Sequence, residues 1–253
     1  MYEKIEKCTV LYTIKWKIED CFTLAFEAHK ISGNNWLTFK HNKMFQDRTD
    51  AGIQLAEKLT FYKDQDVVVL AIPRGGLPLG AIVARVLNAP LDVALIKKIG
   101  HPNNKEYAIG AVSLESVIIS DTANIPKRYF EEETNLIRDL LTQRYKQYYK
   151  DGKPHDLKDK VVIIVDDGIA TGNTLLATVE LVHKHKPRSI VIAIPVAPPS
   201  SLNKLEESPH INEVICLETP YNFMAVGQFY EEFDAVSDQD AIKILQETNQ
   251  KKI

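Results

Sequence analysis

Short apolar runs alternate with stretches of helical periodicity along most of this 253-residue chain. Strands are predicted where the runs are brief and rich in β-branched residues, at residues 67–72, 91–96, 161–165, 189–194 and 214–217. Helices are predicted where apolar side chains recur three and four positions apart, at residues 53–59, 79–87, 126–149, 175–185, a short stretch after 199, and 237–246. Strands that alternate with helices favour right-handed crossovers and a mainly parallel sheet, which is the α/β class.

Two parts of the chain depart from this alternation. Residues 109–112 and 117–119 are close enough to form a hairpin or one broken strand. Residues 1–43 mix aromatic and lysine side chains without a clean period. We interpret them as an N-terminal extension whose role the sequence leaves open, and residues 44–253 as one domain. Within that domain, residues 220–250 are predicted to form a C-terminal cap.

Composition and charge limit the kinds of partner that this protein is expected to bind. The formal net charge of −3, from 31 basic and 34 acidic side chains, gives no electrostatic reason to expect nucleic-acid or membrane binding. Three cysteines, an odd number without metal-ligand spacing, argue against a disulfide framework and fit a reducing cytoplasm. The apolar runs are too short to cross a bilayer. We therefore expect a cytoplasmic protein with small-molecule ligands, and homo-oligomer formation stays open.

The segment at residues 161–174 carries the most specific chemical pattern. Its apolar strand is followed by Asp166 and Asp167, at the carboxyl edge of the predicted sheet, where open α/β folds bind ligands. The next loop opens a helix and contains Gly168, Ala170, Thr171, Gly172, Asn173 and Thr174. Backbone N–H groups at such a helix N-terminus can bind a phosphate, and the threonine hydroxyls add donors. The carboxylates suit sugar hydroxyls or the hydration shell of Mg²⁺.

A simpler interpretation of the same segment is structural. In it, Asp166 and Asp167 are solvated carboxylates at a strand end, and Gly168 and Gly172 serve only the turn. Two other phosphate-binding motifs are excluded, because neither Gly-x-x-x-x-Gly-Lys-Ser/Thr nor Gly-x-Gly-x-x-Gly occurs in the sequence. The whole segment favours a ligand with a phosphate and a sugar diol about one ribose apart.

The segment resembles the signature with which type I phosphoribosyltransferases bind 5-phosphoribosyl 1-diphosphate (PRPP). That signature has four apolar residues, two acidic residues and a short Thr/Gly loop. One departure is Gly168, which stands where the signature usually has an aliphatic residue or serine. A wider resemblance, from about Met44 to Gln246, is to a less characterised bacterial branch of predicted phosphoribosyltransferases. It is carried by residues 45–52 (FQDRTDAG), 73–76 (PRGG), 108–112 (AIGAV) and 225–230 (AVGQFY).

The resemblance implies a type I phosphoribosyltransferase fold with strand order 3-2-1-4-5. In that order the first strand neighbours the strand that ends in Asp166, so the loops after both strands face each other. Arg74 and Gly75 would form the diphosphate loop, which in the family often contains a non-proline cis peptide. The alternative is a tight turn with a surface arginine.

The family also has a mobile lid, which the resemblance places at residues 99–107. Lys97 and Lys98 precede it and would neutralise the departing diphosphate. On closure, the lid would bring His101, Lys105 or Glu106 into the site. The alternative is a solvated hydrophilic loop with ordinary charges.

The implied function is transfer of the phosphoribosyl group of PRPP to a small nitrogenous acceptor, with release of diphosphate and with Mg²⁺ bound together with PRPP. The catalytic candidates are Arg74, Lys98, Glu106, Asp166 and Asp167. The two aspartates would contact the metal indirectly, through PRPP or water. The alternative is a regulatory protein that binds PRPP or a nucleotide without turnover.

The resemblance also limits the acceptor. At the position of Ala170, the 6-oxopurine salvage enzymes of the family have an aspartate that exchanges a proton with the base. The loop with Ala170 looks like the adenine-type loops, in which the acid or base comes from elsewhere, such as Glu106 of the lid.

Overall fold

The computed structural model describes residues 45–119, 125–150 and 153–250, except for the side chain of Glu106. Its α-helices are α1 (Arg48–Lys58), α2 (Gly76–Leu87), α3 (Lys127–Tyr149), α4 (Asn173–His183), α5 (Pro199–Glu206) and α6 (Asp238–Gln250). Its strands are β1 (Val67–Ala71), β2 (Leu91–Val93), β3 (Lys97–His101), β4 (Asn104–Val112), β5 (Val117–Ile119), β6 (Val161–Val165), β7 (Ser189–Val196) and β8 (Glu213–Glu218). The α/β class predicted from the sequence is confirmed.

The central sheet contains five parallel strands in the order β2-β1-β6-β7-β8. Numbered along the chain within this sheet, the order is 2-1-3-4-5, so the expected order 3-2-1-4-5 is not the one that the described residues form. The reason is that the chain leaves the sheet after β2, and its next three strands pair with one another. The outer edge of β2 is occupied instead by Asn249 of α6, whose side-chain amide exchanges two hydrogen bonds, of 3.1 and 2.8 Å, with the backbone of Leu91.

Both faces of the central sheet are buried, which is why its strands appear in the sequence as continuous apolar runs. Alternate residues of β1 and β6 point to opposite faces. One face packs against α1, α2, α3 and α6, and the other against α4 and α5. The sheet is therefore held rigidly between helices, and its carboxyl edge is a fixed platform for the loops that follow β1 and β6.

The second sheet is antiparallel, in the order β3-β4-β5. The hairpin of β4 and β5 was predicted, but the hydrophilic loop predicted at residues 99–107 is wrong. Those residues form most of a β3–β4 hairpin, because Ile99 is fully buried and its strand pairs with β4. The Tyr129 hydroxyl of α3 donates to the carbonyl oxygen of Gly100 at 2.7 Å. The Lys105 ammonium donates to Glu133 of α3 at 2.7 Å, so the hairpin is fastened to that helix.

Phe45, the first residue that the structure describes, pairs with the segment before α6, which comprises residues 229–234. The N–H of Phe45 donates to the carbonyl of Phe229 at 2.8 Å, and the N–H of Glu231 donates to the carbonyl of Phe45 at 2.9 Å. The rings of Phe45 and Tyr230 lie 5.3 Å apart. Directly after this pairing, Asp47 caps α1 by accepting from Asp50 N at 2.8 Å.

No helix among the residues that the structure describes is long and apolar enough to cross a membrane. The predicted separation of residues 1–43 from the domain falls outside the described residues and stays a prediction.

A chain shortened to begin at Met44 is expected to keep the fold, because it retains the pairing of Phe45 with the segment before α6. The same shortened chain carrying Phe45→Ala should lose about 3–5 kcal/mol of unfolding free energy, since the ring of Phe45 is fully buried. Urea unfolding of the full-length chain and the two shortened chains measures both effects. A shortened chain that does not fold, beside a full-length chain that does, would mean that residues 1–43 belong to the domain.

Candidate functional site

The loops after β1 and β6 lie against each other at the carboxyl edge of the central sheet. Strands β1 and β6 pair in register, Val67 with Val161 through Ala71 with Val165. A Cβ atom at Gly75 would come within 1.9 Å of Asp167 Oδ2, and one at Gly76 within 2.5 Å of the carbonyl oxygen of Val165. The two glycines are therefore required for this close approach.

The loop after β1 also places the first predicted cation. The peptide bond between Pro73 and Arg74 is cis. The Arg74 side chain is about half exposed, and its Nε lies 3.9 Å from Asp238 Oδ1 at the start of α6. Such a long, exposed ion pair holds an arginine only weakly, so its guanidinium is available to an anionic ligand.

The two predicted carboxylates are held differently. Asp166 Oδ1 accepts from the backbone N–H of Asp167 at 2.9 Å. Asp167 Oδ2 accepts from Arg48 Nε at 2.9 Å and lies 2.8 Å from Arg48 NH2. The side chains of Arg48 and Asp167 are 13% and 14% exposed, so this is a largely buried ion pair. Asp167 is thus fixed by α1, and Asp166 by its own loop.

The segment before α6 completes the enclosure of Asp167. The Tyr230 hydroxyl donates to the carbonyl oxygen of Asp167 at 2.6 Å. The Asp234 carbonyl accepts from Arg48 NH1 at 2.7 Å, and the guanidinium lies 3.8 Å from the centre of the Phe233 ring. The predicted C-terminal cap therefore contacts the site through Tyr230 and Phe233.

Burial and charge set the protonation of the aspartate pair. Burial, and then the neighbouring carboxylate of Asp167, raise the pKa of Asp166 well above its ordinary value. Burial also raises the pKa of Asp167, and the hydrogen bond and charge of Arg48 oppose that rise. The charge of Arg48 thus opposes the rise in pKa of both carboxyls, and Arg48 acts on Asp167 through a direct hydrogen bond as well.

The loop after Asp167 presents unused donors at the N-terminus of α4. Among the described residues, the backbone N–H groups of residues 170–174 donate to no protein acceptor. Thr171 and Thr174 are exposed, and Gly172 adopts a left-handed conformation with φ of 73°. The loop is anchored from outside, since Ser201 Oγ donates to the carbonyl of Ala170 at 2.6 Å. Anchored amides at a helix N-terminus are suited to binding an anion.

Gly168, the departure from the family signature, is explained by its neighbours. Its φ is 141°, a backbone conformation that residues with a Cβ atom rarely adopt. A Cβ atom there would lie 2.7 Å from Val226 Cγ1 and 2.8 Å from Val196 Cγ1. In this chain, Val196 and Val226 fill the space that an aliphatic residue or serine at position 168 would need.

The lid candidates lie on the β3–β4 hairpin. Lys97 and Lys98 begin β3 opposite Val112 and Ala111. Lys105 is paired with α3, and His101 Nδ1 accepts from the N–H of Asn103 at 3.1 Å. Glu106 lies in β4, and its side chain is outside the described part of the structure. The hairpin packs against α3 and α4.

A metal ion fits this site only indirectly. Within the described ranges, no three His, Cys, Asp or Glu side chains are grouped to hold one. Asp166 and Asp167 are the two acidic groups available, and Asp167 already pairs with Arg48. Mg²⁺ is commonly bound by one or two carboxylates together with waters and ligand phosphates, which is the arrangement that this pair could support.

Sequence reasoning missed the side chains that hold Asp167. Arg48 and Tyr230 lie within motifs that carry the resemblance, but neither was predicted to contact Asp167. Phe233 lies outside every motif. A buried carboxylate requires a partner of opposite charge. The presence of Arg48 in a resemblance motif was therefore the one sequence signal that could have identified it as that partner.

The sequence of this chain is similar to a known protein family and to two curated relatives. A family model, the phosphoribosyl transferase domain, matches residues 40–223. Two Mycobacterium tuberculosis proteins, provisionally named phosphoribosyl transferases, are each 35% identical over 210 residues, which is 80% of this chain and 46% of theirs. This chain thus spans less than half the length of those relatives.

Two further likenesses differ in extent. The crystal structure of the protein TT1426 from Thermus thermophilus matches with a TM-score of 0.74 and 38% identity, over 81% of this chain and 98% of that one. A uracil phosphoribosyltransferase of Mycoplasma genitalium is 36% identical over 78 residues, 30% of this chain and 37% of its own length. The family match includes both site loops and Arg48, and it ends before Tyr230 and Phe233.

Arg48→Met should lower the unfolding free energy by about 3 kcal/mol at neutral pH, because it leaves Asp167 buried without its partner. The variant also raises the pKa of Asp167 further. Since a carboxyl whose folded-state pKa is raised binds more protons in the folded state, the deficit relative to wild type should shrink as pH falls through that raised pKa. Urea unfolding of both proteins between about pH 5 and pH 8 measures the deficit.

The matched control is Arg48→Met combined with Asp167→Asn, which removes both charges and should recover part of the lost stability. A deficit for Arg48→Met that does not change with pH, or that the second substitution deepens, would contradict the assignment of the ion pair.

Proposed function

We propose a reaction for this chain from one premise: it belongs to the phosphoribosyl transferase domain family. The chain transfers the 5-phosphoribosyl group of PRPP to a small nitrogenous acceptor and releases diphosphate. The observation that carries this proposal is the contact between the Gly75–Gly76 turn and the Asp166–Asp167 strand end, beside the free amides at the start of α4. One surface thereby offers donors for two separate phosphate groups with carboxylates between them.

The 5-phosphate of PRPP binds at the N-terminus of α4. The N–H groups of residues 170–174 converge there, and the hydroxyls of Thr171 and Thr174 add donors. No charge on the protein is needed, because aligned amides and the helix dipole already favour an anion. Asn173 begins the helix and contributes its N–H to the same group.

The diphosphate binds across the turn after β1. Gly75 allows the backbone to approach the ligand, and Arg74 supplies a guanidinium that forms two parallel hydrogen bonds to phosphate oxygens. Lys97 and Lys98 lie at the start of the hairpin and add positive charge when it moves toward the ligand. These cations stabilise the negative charge that develops on the leaving diphosphate.

The ribose lies between the two phosphate sites, against Asp166 and Asp167. Their oxygens accept hydrogen bonds from the 2- and 3-hydroxyls, and their charge favours the cation that develops on the sugar. A nitrogen of the acceptor forms a bond to the anomeric carbon as the bond from that carbon to diphosphate breaks, and the electron pair leaves with diphosphate. The sugar at this point resembles an oxocarbenium ion, as in glycoside cleavage.

Mg²⁺ bound together with PRPP would supply positive charge for the leaving diphosphate. Asp166 and Asp167 would contact it through water or through PRPP. Glu106 of the hairpin is the proposed acceptor of the proton that the nitrogen loses.

Diphosphate release tests the function directly. The purified chain is incubated with PRPP, Mg²⁺ and a panel of nucleobases and related amines, and one acceptor should yield stoichiometric diphosphate and nucleotide. Asp166→Asn combined with Asp167→Asn should keep the fold with lower stability, because Arg48 loses its charged partner, and should bind PRPP at least about a hundredfold more weakly, because charge-assisted hydrogen bonds to the ribose are lost. The exposed Asp139→Asn is the matched control and should behave like wild type.

Two results would contradict parts of this proposal. Near-wild-type PRPP affinity in the folded double variant would remove the two aspartates from the site. PRPP binding without diphosphate release for any acceptor would instead favour a regulatory protein that binds PRPP without turnover.

Hypoxanthine and guanine are expected to be poor acceptors. Ala170 has no titratable group and cannot exchange a proton with a 6-oxopurine, and its carbonyl oxygen is already occupied by Ser201. Initial rates with hypoxanthine, guanine and adenine at equal concentration measure the preference. Efficient, Mg²⁺-dependent conversion of hypoxanthine to its nucleotide would refute the exclusion. An unchanged rate for Glu106→Gln with the true acceptor would remove only the role of Glu106.

A further inference from the structure

A cavity of about 620 Å³ lies away from the site, on the α4 side of the central sheet beside the edge strand β2. It contains none of the residues assigned to PRPP above. Its walls come from β2, the end of α3, residues 153–157 and the last turn of α4. A volume of this size is within the range of about 300–1,000 Å³ that is typical of sites for small organic ligands.

The cavity lies at the base of the β3–β4 hairpin. Residues 94–96, which lead into β3, and residues 113–115, which follow β4, both line it. These segments are brought together because Lys97 at the start of β3 pairs with Val112 at the end of β4. A molecule in the cavity would therefore contact both ends of the hairpin that carries Lys97, Lys98 and Glu106.

The walls of the cavity are fixed by a buried carboxylate. Asp92 of β2 is only 2% exposed and accepts from the N–H groups of Val93 at 2.8 Å and His155 at 2.6 Å. It also accepts from the hydroxyl of Tyr149. One side chain thus ties β2, α3 and the segment before β6 together, so the cavity is formed before any ligand arrives.

Its lining selects a flat, uncharged molecule. Tyr145 and Tyr149 form an aromatic wall, with ring centres 4.9 Å apart, and aliphatic side chains supply much of the remaining surface. Around these lie three carboxylates, of Asp92, Glu115 and Asp156, against one lysine, Lys153, and the imidazoles of His155 and His185, of which that of His155 lies 3.4 Å from Asp92 Oδ2. This excess of negative charge disfavours phosphorylated ligands, including PRPP itself.

We infer that the cavity is a second ligand site, which binds an uncharged planar nitrogen heterocycle, as a free nucleobase or a nucleoside rather than a nucleotide. The ring stacks on Tyr145, and the imidazole of His155 contacts its polar edge. Occupancy of the cavity slows the opening of the hairpin. The consequence of that effect for catalysis rests on the proposed function, but binding itself does not.

The test is calorimetric titration of the full-length chain, without PRPP, with adenine, hypoxanthine and uracil, their nucleosides and their 5′-monophosphates. At least one base or nucleoside should bind, and its monophosphate should bind more weakly. Tyr145→Ala, which preserves the helix, should weaken that binding about tenfold or more through loss of stacking. The exposed Leu136→Ala on the same helix is the matched control and should bind as wild type does.

Two further variants distinguish binding at this cavity from binding at the PRPP site. The Asp166→Asn, Asp167→Asn double variant should keep its affinity for the base or nucleoside, whereas the proposed function requires it to lose PRPP. If Tyr145→Ala does not fold, His155→Ala replaces it, because its backbone N–H still bonds to Asp92. Absence of binding at millimolar concentration, or affinity that neither cavity substitution changes, would overturn the proposal.

Hydrogen exchange provides an independent readout. The bound base or nucleoside should slow exchange of the amides in residues 97–112 of the wild-type chain, and not in Tyr145→Ala. Equal exchange with and without a bound ligand would show that occupancy of the cavity does not affect the hairpin.

Discussion

The ion pair of Arg48 with Asp167 is the interaction on which the site depends. A carboxylate beneath the Gly75–Gly76 turn has little access to water, so it stays charged only beside a partner of opposite charge. That partner comes from α1, whose position is fixed by the pairing of Phe45 with the segment before α6. Phe45 and α1 on one side and the segment before α6 on the other thus meet at one carboxylate of the candidate site, and a disturbance of either segment reaches that carboxylate directly.

Much of the fold could be predicted from the sequence, because its determinants are local. The strands β1, β6 and β7 are buried on both faces, so continuous β-branched runs identified them. The β3–β4 hairpin was missed because its outer positions are polar, and its stability comes from contacts with α3 such as Tyr129 to Gly100. Strand order was also missed, because after β2 the chain leaves the central sheet and its next three strands pair with one another.

The candidate site divides in the same way. Asp166, Asp167 and the loop after them are adjacent in sequence, so one motif identified all of them. Arg48 lies 119 positions from Asp167, and no local pattern pairs two such residues. The resemblance to phosphoribosyltransferases is confirmed for the family and for the α/β fold. Gly168 shows what a family signature leaves out, because its departure is explained only by Val196 and Val226, which approach it from other parts of the chain.

The hydrogen bonds of Asn249 to Leu91 have a consequence for how copies of this chain behave together. A strand at the edge of a sheet carries a row of unpaired donors and acceptors that another strand can use. At Leu91 the backbone N–H and carbonyl are both hydrogen-bonded to the side-chain amide of Asn249, in the last turn of α6. Loss of this amide would leave the N–H and the carbonyl oxygen of Leu91 open to pairing with another strand. The side-chain amide of Asn249 thus protects this part of the sheet edge from pairing with a second copy of the chain.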